Sequence, residues 1–156
     1  MCAALIVSAP IRHKRGRMLL SAFTGAWTLE RAIEDRRAGR TGTLAGTARF
    51  APEADGLAYL EEGTLAFEGA PPLQATRRYL WKDGGAGTID VFFANGRFFH
   101  RFDAEDPAPG ASHDCPPDSY HVRYDFRAWP RWRAEWRVTG PRKDYAMVSR
   151  YRPLAK

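Results

Sequence analysis

The sequence predicts an all-β fold, a meandering antiparallel sandwich or barrel, and three observations carry that prediction. Aromatic residues make up 13% of the 156, with nine Phe, six Tyr and five Trp, and such side chains suit pleated, half-buried surfaces. Gly- or Pro-rich breaks recur at 39–42, 52–56, 69–72, 83–87, 95–96, 107–117, 128–130 and 140–142. The segments between them are about 8 to 12 residues long, the spacing of short strands joined by turns. Several of those segments alternate apolar with polar residues, the period of a strand with one buried face.

The first strand is expected at 26–35, where Trp27, Leu29 and Ile33 share one face with Arg31. The same stretch, Thr28 to Arg37 followed by Gly39, also fits a capped helix; the strand is the preferred reading. Strands follow at 42–51, 57–67 and 75–82. Thr88–Ala94 and Arg97–Asp103 flank Asn95-Gly96, a dipeptide suited to a type I′ hairpin turn. Three more strands, at 118–127, 131–139 and 144–152, bring the total to nine. Ala104 to Pro117 contains four prolines, which argues against a strand interior or a helix; it reads as a lid over one end of a barrel or as a solvated connection.

At 44% hydrophobic and 27% charged residues, the composition is globular and excludes wholesale disorder and fibrous architectures. The length fits one domain, placed at 24–153, with residues 1–23 as a basic tail, disordered or partly helical. Met18, after the basic stretch, is an alternative first residue. The net charge of +6 divides unevenly: four cations and no acid in 1–17, eleven cations against sixteen acids in 18–126, and eight against two in 127–152. Basicity confined to the two ends disfavours nucleic acid as a partner. Two cysteines, Cys2 and Cys115, form no disulfide framework and suggest a reducing compartment, the cytoplasm. The apolar run before Pro10 is too short for a signal peptide or a membrane span, so no membrane partner is expected. Monomer and dimer both remain open.

Several side chains do not suit a plain core. In Thr76-Arg-Arg-Tyr-Leu-Trp81, whichever face is buried carries Arg77 or Arg78. A buried Arg needs an acid or a ligand anion, and Glu61, Glu62 and Asp125 are the acids at hand. His100 alternates with Phe98 and Phe102 on one hairpin strand, so it is either a core histidine or a polar group facing a ligand cavity. Strand 131–139 sets Trp132, Ala134, Trp136 and Val138 against Arg131, Arg133, Glu135 and Arg137. The ionic face is either solvated or, in a barrel holding an anion, turned inward. His113, Asp114, Cys115, Asp118 and His121 crowd into nine residues. Their spacing matches no zinc site, and a rigid polar loop around Pro116-Pro117 is the simplest reading. No metal is expected, no pattern names a cofactor, and no dinucleotide, Walker, nucleophile-elbow or zincin motif occurs.

Gly25-Ala26-Trp27 resembles the Gly-x-Trp signature of the lipocalins and wider calycin barrels, and Lys143-Asp144-Tyr145 resembles their Thr-Asp-Tyr motif, with Lys in place of Thr. Arg150 stands where that family's late arginine would cover the Trp. The resemblance implies an up-and-down barrel of about eight to ten strands, in which Trp27, Asp144, Tyr145 and Arg150 close one end, Arg150 by a cation–π contact with Trp27. The span from Gly25 to Arg152 is also similar to a domain family of calycin type with no assigned activity. That similarity rests on 75–81, 96–100, 113–120 and 140–145.

The function expected from these residues is a binding barrel for a small amphipathic molecule with an anionic group, a class that includes tetrapyrroles, fatty acids and polyketides. Trp81, Phe98, Phe102 and Tyr120 would form apolar walls. Arg78, His100 and Arg137 would hold the polar end, with His113, Cys115 and Asp118 as further ligand contacts. The alternative is an enzyme on the same barrel, an isomerase, cyclase or hydrolase, with His100 or His121 as general acid or base.

Overall fold

A computed structural model describes residues 19–154. Ten strands form one antiparallel sheet: β1 (Gly25–Asp35), β2 (Arg40–Glu53), β3 (Gly56–Phe67), β4 (Leu73–Gly85), β5 (Thr88–Phe93), β6 (Phe98–Asp103), β7 (Gly110–Cys115), β8 (Asp118–Asp125), β9 (Trp132–Gly140) and β10 (Lys143–Pro153). The order β6-β5-β4-β3-β2-β1-β10-β9-β8-β7 is a meander curled into a nearly closed barrel, in which β10 returns to pair with β1. At the seam, β6 meets β7 and β8 through side chains, Phe99 against His113 of β7 and His100 against Tyr124 of β8. Backbone bonds from Tyr124 and Phe126 to the carbonyls of Pro109 and Pro107 extend the β7–β8 pairing into the connection that leads from β6.

β1 is a strand, not a helix, because its apolar residues recur at every second position; Trp27, Leu29 and Arg31 are all buried. The tenth strand is β7, inside the segment expected to be irregular. Its prolines flank the six residues of the strand and do not interrupt them, Pro107 and Pro109 before and Pro116 and Pro117 after. The strand is short and ends the sheet, where a flanking proline does not break a ladder.

The Asn95-Gly96 hairpin forms with a different turn. Gly96 has φ +85° while Asn95 keeps negative φ, and the Gly96 amide bonds to the Phe93 carbonyl. This is a type I turn closed by a left-handed glycine, in place of the two positive φ angles of type I′. The register then slips beside it: Phe92 opposes Phe98, but Val91 opposes His100. Phe99 is the extra residue of a bulge, so Phe99 and His100 both turn inward and Phe98 turns out, half exposed.

The two ends of the barrel differ. A 3₁₀ turn, Leu20–Phe23, plugs the end that carries the β2–β3, β4–β5 and β8–β9 connections. Phe23 is fully buried against Phe50, Trp81, Phe126, Trp129 and Trp132, and its carbonyl accepts the Trp27 indole N–H at 2.8 Å. Phe23, expected in the tail, thus packs into the barrel with Leu20 against the same core, while Ser21 and Ala22 stay exposed; residues 1–18 and the basic stretch within them lie outside the described residues. The other end carries the β1–β2, β3–β4, β5–β6, β7–β8 and β9–β10 turns and is the mouth. No helix among the described residues is long and apolar enough to cross a membrane.

Candidate functional site

The inner face of a barrel strand receives every second side chain, and on β1 and β3 that period delivers Arg31 and Glu61 to the interior. They form a bidentate ion pair, with Arg31 Nη1 and Nη2 each 2.8 Å from a Glu61 oxygen. Arg31 Nε donates to Ser149 Oγ at 2.7 Å. The Tyr59 hydroxyl donates to Glu61 Oε2 at 2.6 Å and lies 2.9 Å from the Tyr151 hydroxyl, so Tyr151 supplies the proton of that second bond. Burial alone raises a carboxyl's pKa, but the bonds and charge of Arg31 outweigh it and hold Glu61 below its ordinary value. The same pairing outweighs the burial of Arg31 and keeps its guanidinium charged.

Arg77, two residues before Tyr79 on the inner face of β4, completes the cluster. Its Nε stands 3.7 Å from Glu61 Oε1, near enough for attraction and too far for a hydrogen bond. Its side chain is 44% exposed against 5% for Arg31, because it reaches toward the mouth. Two interior guanidiniums therefore share one carboxylate, and the outer one carries the surplus charge. A cavity of about 250 Å³ opens at this point, with apolar walls at Ile33, Leu65, Phe67 and Met147, Tyr145 beside them, and Asp35 as a second carboxylate near Arg77.

Deeper in, a chamber of about 30 Å³ lies among Arg31, Tyr59, Tyr79, His100, Trp136 and Tyr151, space for about one water. His100 is 2% exposed. Its Nε2 is 2.8 Å from the Tyr124 hydroxyl, and its Nδ1 has no partner among the described residues. Burial pushes the ring pKa down to about 3, with His113 acting in the same direction, so His100 is neutral at ordinary pH.

The residues singled out from sequence divide into three groups. Trp81, His100 and Phe102 do meet inside the barrel, linked by ring contacts of Trp81 and His100 with Phe102. Tyr120 and His113 lie on the seam side of the mouth against Phe99, and Asp118 pairs there with Lys143 at 3.0 Å; Cys115 is exposed beside them. Arg78, Phe98, Arg137 and His121 face outward, which corrects their expected place in a cavity wall. Arg78 has the wrong parity on β4, and Arg77 takes the inner position. Phe98 is displaced by the bulge. Arg137 binds Asp144 on the outer surface at 2.8 Å, and His121 meets only Ser112 Oγ there, at 3.1 Å.

The lipocalin-like lid is likewise corrected. Trp27 points inward against Trp129 and Trp132. Arg150 falls on the opposite parity of β10, facing outward beside Glu30, and Asp144 also faces out. Tyr145 alone of the Lys143-Asp-Tyr145 segment borders the mouth cavity. Arg31, Tyr59, Tyr79, Ser149 and Tyr151 are site residues that the sequence pattern does not mark, although it does put Arg31 on the apolar face of its strand. An arginine in phase with Trp27, Leu29 and Ile33 was the available signal.

Residues 23–153 match the Family of unknown function (DUF6314). The chain belongs to that family. No curated protein sequence matches it. Among solved structures it is similar to the S-type phycobiliprotein lyase CPES from Guillardia theta, with a TM-score of 0.65, 10% identity, and coverage of 90% of this chain and 96% of that one. At that identity the likeness is one of fold, the calycin-like barrel.

Proposed function

We propose that this family member is a binding barrel for a small amphipathic molecule whose anionic group is held by Arg77 at the mouth. One observation carries the reading: two inward guanidiniums share the Glu61 carboxylate, and the half-exposed one borders a cavity with apolar walls at Leu65, Phe67 and Met147. A ligand carboxylate or phosphate would replace the weak 3.7 Å attraction to Glu61 with direct charge-assisted bonds, and Leu65, Phe67 and Met147 would cover its apolar part. The volume bears on the ligand class. Drug-sized ligands occupy roughly 300–1,000 Å³, so a mouth cavity of about 250 Å³ favours a short-chain amphiphile over a tetrapyrrole. The fold shared with a phycobiliprotein lyase supports a small-molecule role without specifying this ligand.

The enzyme alternative rests on His100, whose Nδ1 has no partner among the described residues and whose side chain borders a chamber with space for about one water. A ring held neutral down to about pH 3 is a weak base, which favours binding over acid–base turnover. We place the barrel in a reducing compartment, where the exposed Cys115 thiol would persist.

The test is titration with octanoate, octylamine and octanol, followed by tryptophan fluorescence. Octanoate is expected to bind, octylamine not at all, and octanol more weakly; Arg77→Ala should abolish the preference for the acid. Equal binding of acid and amine by the wild type would overturn the reading.

A further inference from the structure

The outer surface near the plugged end carries a second concavity that the barrel interior does not explain. It is a groove of about 530 Å³ between the β8–β9 connection and the β1 and β10 strands, and Arg131, Arg133, Arg150 and Arg152 line it together with Thr28. Two acids, Glu30 and Asp125, share it, which leaves an excess of two positive charges. Asp125 is already engaged: Arg127 donates to it through Nε at 3.0 Å and Nη2 at 2.7 Å, and its carboxyl is held far below the ordinary range by that partner. Glu30 approaches only Arg152, at 3.8 Å.

The sheet register sharpens the excess. Arg150 stands directly across from Arg133, and like charges directly opposed on neighbouring strands are destabilising. Arg133 leans toward Asp125 and Glu135, whereas Arg150 and Arg131 make no ion pair among the described residues. Trp132 contributes to the floor of the groove, while its ring points into the barrel and stacks on Tyr151.

We propose that this groove is a second ligand site, specific for a compact polyanion bearing two or more phosphate groups. Guanidinium forks bind phosphate oxygens in pairs, and several converging on one hollow select a multiply charged occupant. Such an occupant would neutralise the two surplus charges and bridge the opposed Arg133 and Arg150. The site lies on the outer face, has no residue in common with the mouth cavity, and stands whether or not the barrel binds an amphiphile.

Calorimetric titration of the full chain with inorganic tripolyphosphate tests this. One site per chain is expected, weakened at least tenfold in Arg150→Gln/Arg152→Gln with no fall in the melting temperature. Three comparison variants, each a full-length protein, locate the binding: Arg49→Gln/Arg78→Gln removes equal charge from another part of the outer face, Arg77→Gln alters the mouth, and Arg12→Gln/Lys14→Gln/Arg15→Gln/Arg17→Gln neutralises the basic N-terminal stretch. All three should bind like the wild type. No binding by the wild type, or a loss in any of the three as large as in the groove variant, would overturn the proposal.

Discussion

Arg31 and Glu61, thirty residues apart in the chain, meet inside the barrel in a two-pronged ion pair with both bonds at 2.8 Å. A pair so buried contributes less through its own attraction than through what its absence would leave behind. Removing one partner strands the other charge in the interior, which costs roughly 3–5 kcal/mol. Glu61→Gln is therefore expected to lower the melting temperature by about 10 °C, using about 2–4 °C per kcal/mol for a chain of this size. Arg31→Met combined with Glu61→Leu should recover most of that loss. Thermal unfolding of the three proteins checks this, and a double variant no more stable than Glu61→Gln would count against it.

Arg77 shares that carboxylate without depending on it. Its side chain is half exposed and its contact with Glu61 is long, so Arg77→Ala should change stability by less than about 1 kcal/mol, in the range of exposed ion pairs. Urea unfolding measures this, and a large loss would make Arg77 a structural cation.

His100 sets the acid limb of stability. Its pKa is pushed from 6.5 to about 3 on folding, so between those values the unfolded chain binds the extra proton and stability rises with pH. The contribution is fully present above about pH 6.5 and falls progressively toward pH 3, by on the order of 5 kcal/mol over the window. Glu61, also depressed, loses its contribution at lower pH, from the ordinary carboxylate range downward. His100→Gln should therefore flatten the slope between pH 6.5 and 5 and leave the later drop in place. Urea midpoints across that range are the measurement. In a binder the same change weakens ligand affinity modestly, and in an enzyme it removes roughly two to four decades of turnover.

The strand pattern was legible because buried strands write their period directly: Trp27, Leu29, Arg31 and Ile33 read as one face before any fold was known. Residue parity alone does not say which face is inside where both carry the same residue type, as with Arg77 and Arg78. That choice is fixed only when β4 pairs with β3 and sets Arg77 opposite Glu61. Phe98 and His100 separated for a different reason. A bulge adds one residue and reverses the alternation beyond it, and the sequence Phe98-Phe99-His100 offers no punctuation at that point. Prolines at both ends of β7 hid a strand too short to show its own period. The lipocalin-like resemblance carried the barrel correctly but misplaced Arg150, since a one-residue difference in strand phase moves a side chain from lid to outer surface.

Gly46 and Gly63 face each other across β2 and β3, two residues from Glu61. A Cβ on Gly46 would drive into the Glu62 carbonyl and the Gly63 backbone, and one on Gly63 would come within 2.8 Å of the Ala45 carbonyl oxygen. The strands approach this closely because neither residue has a side chain, and Glu61 lies on the same strand as Gly63, one pleat away. Backbone atoms cannot swing aside as a flexible side chain can, so accommodating a methyl means separating the ladder. Gly46→Ala is expected to cost about 2–4 kcal/mol, in the range of the more disruptive single substitutions, and to loosen the ion pair with it. Urea unfolding gives the first value. Amide exchange gives the second: protection should fall at Ala45, Glu62 and Gly63 ahead of the β9–β10 ladder. A Gly46→Ala protein as stable as the wild type would mean that β2 and β3 do not need this close approach to hold Glu61 in place.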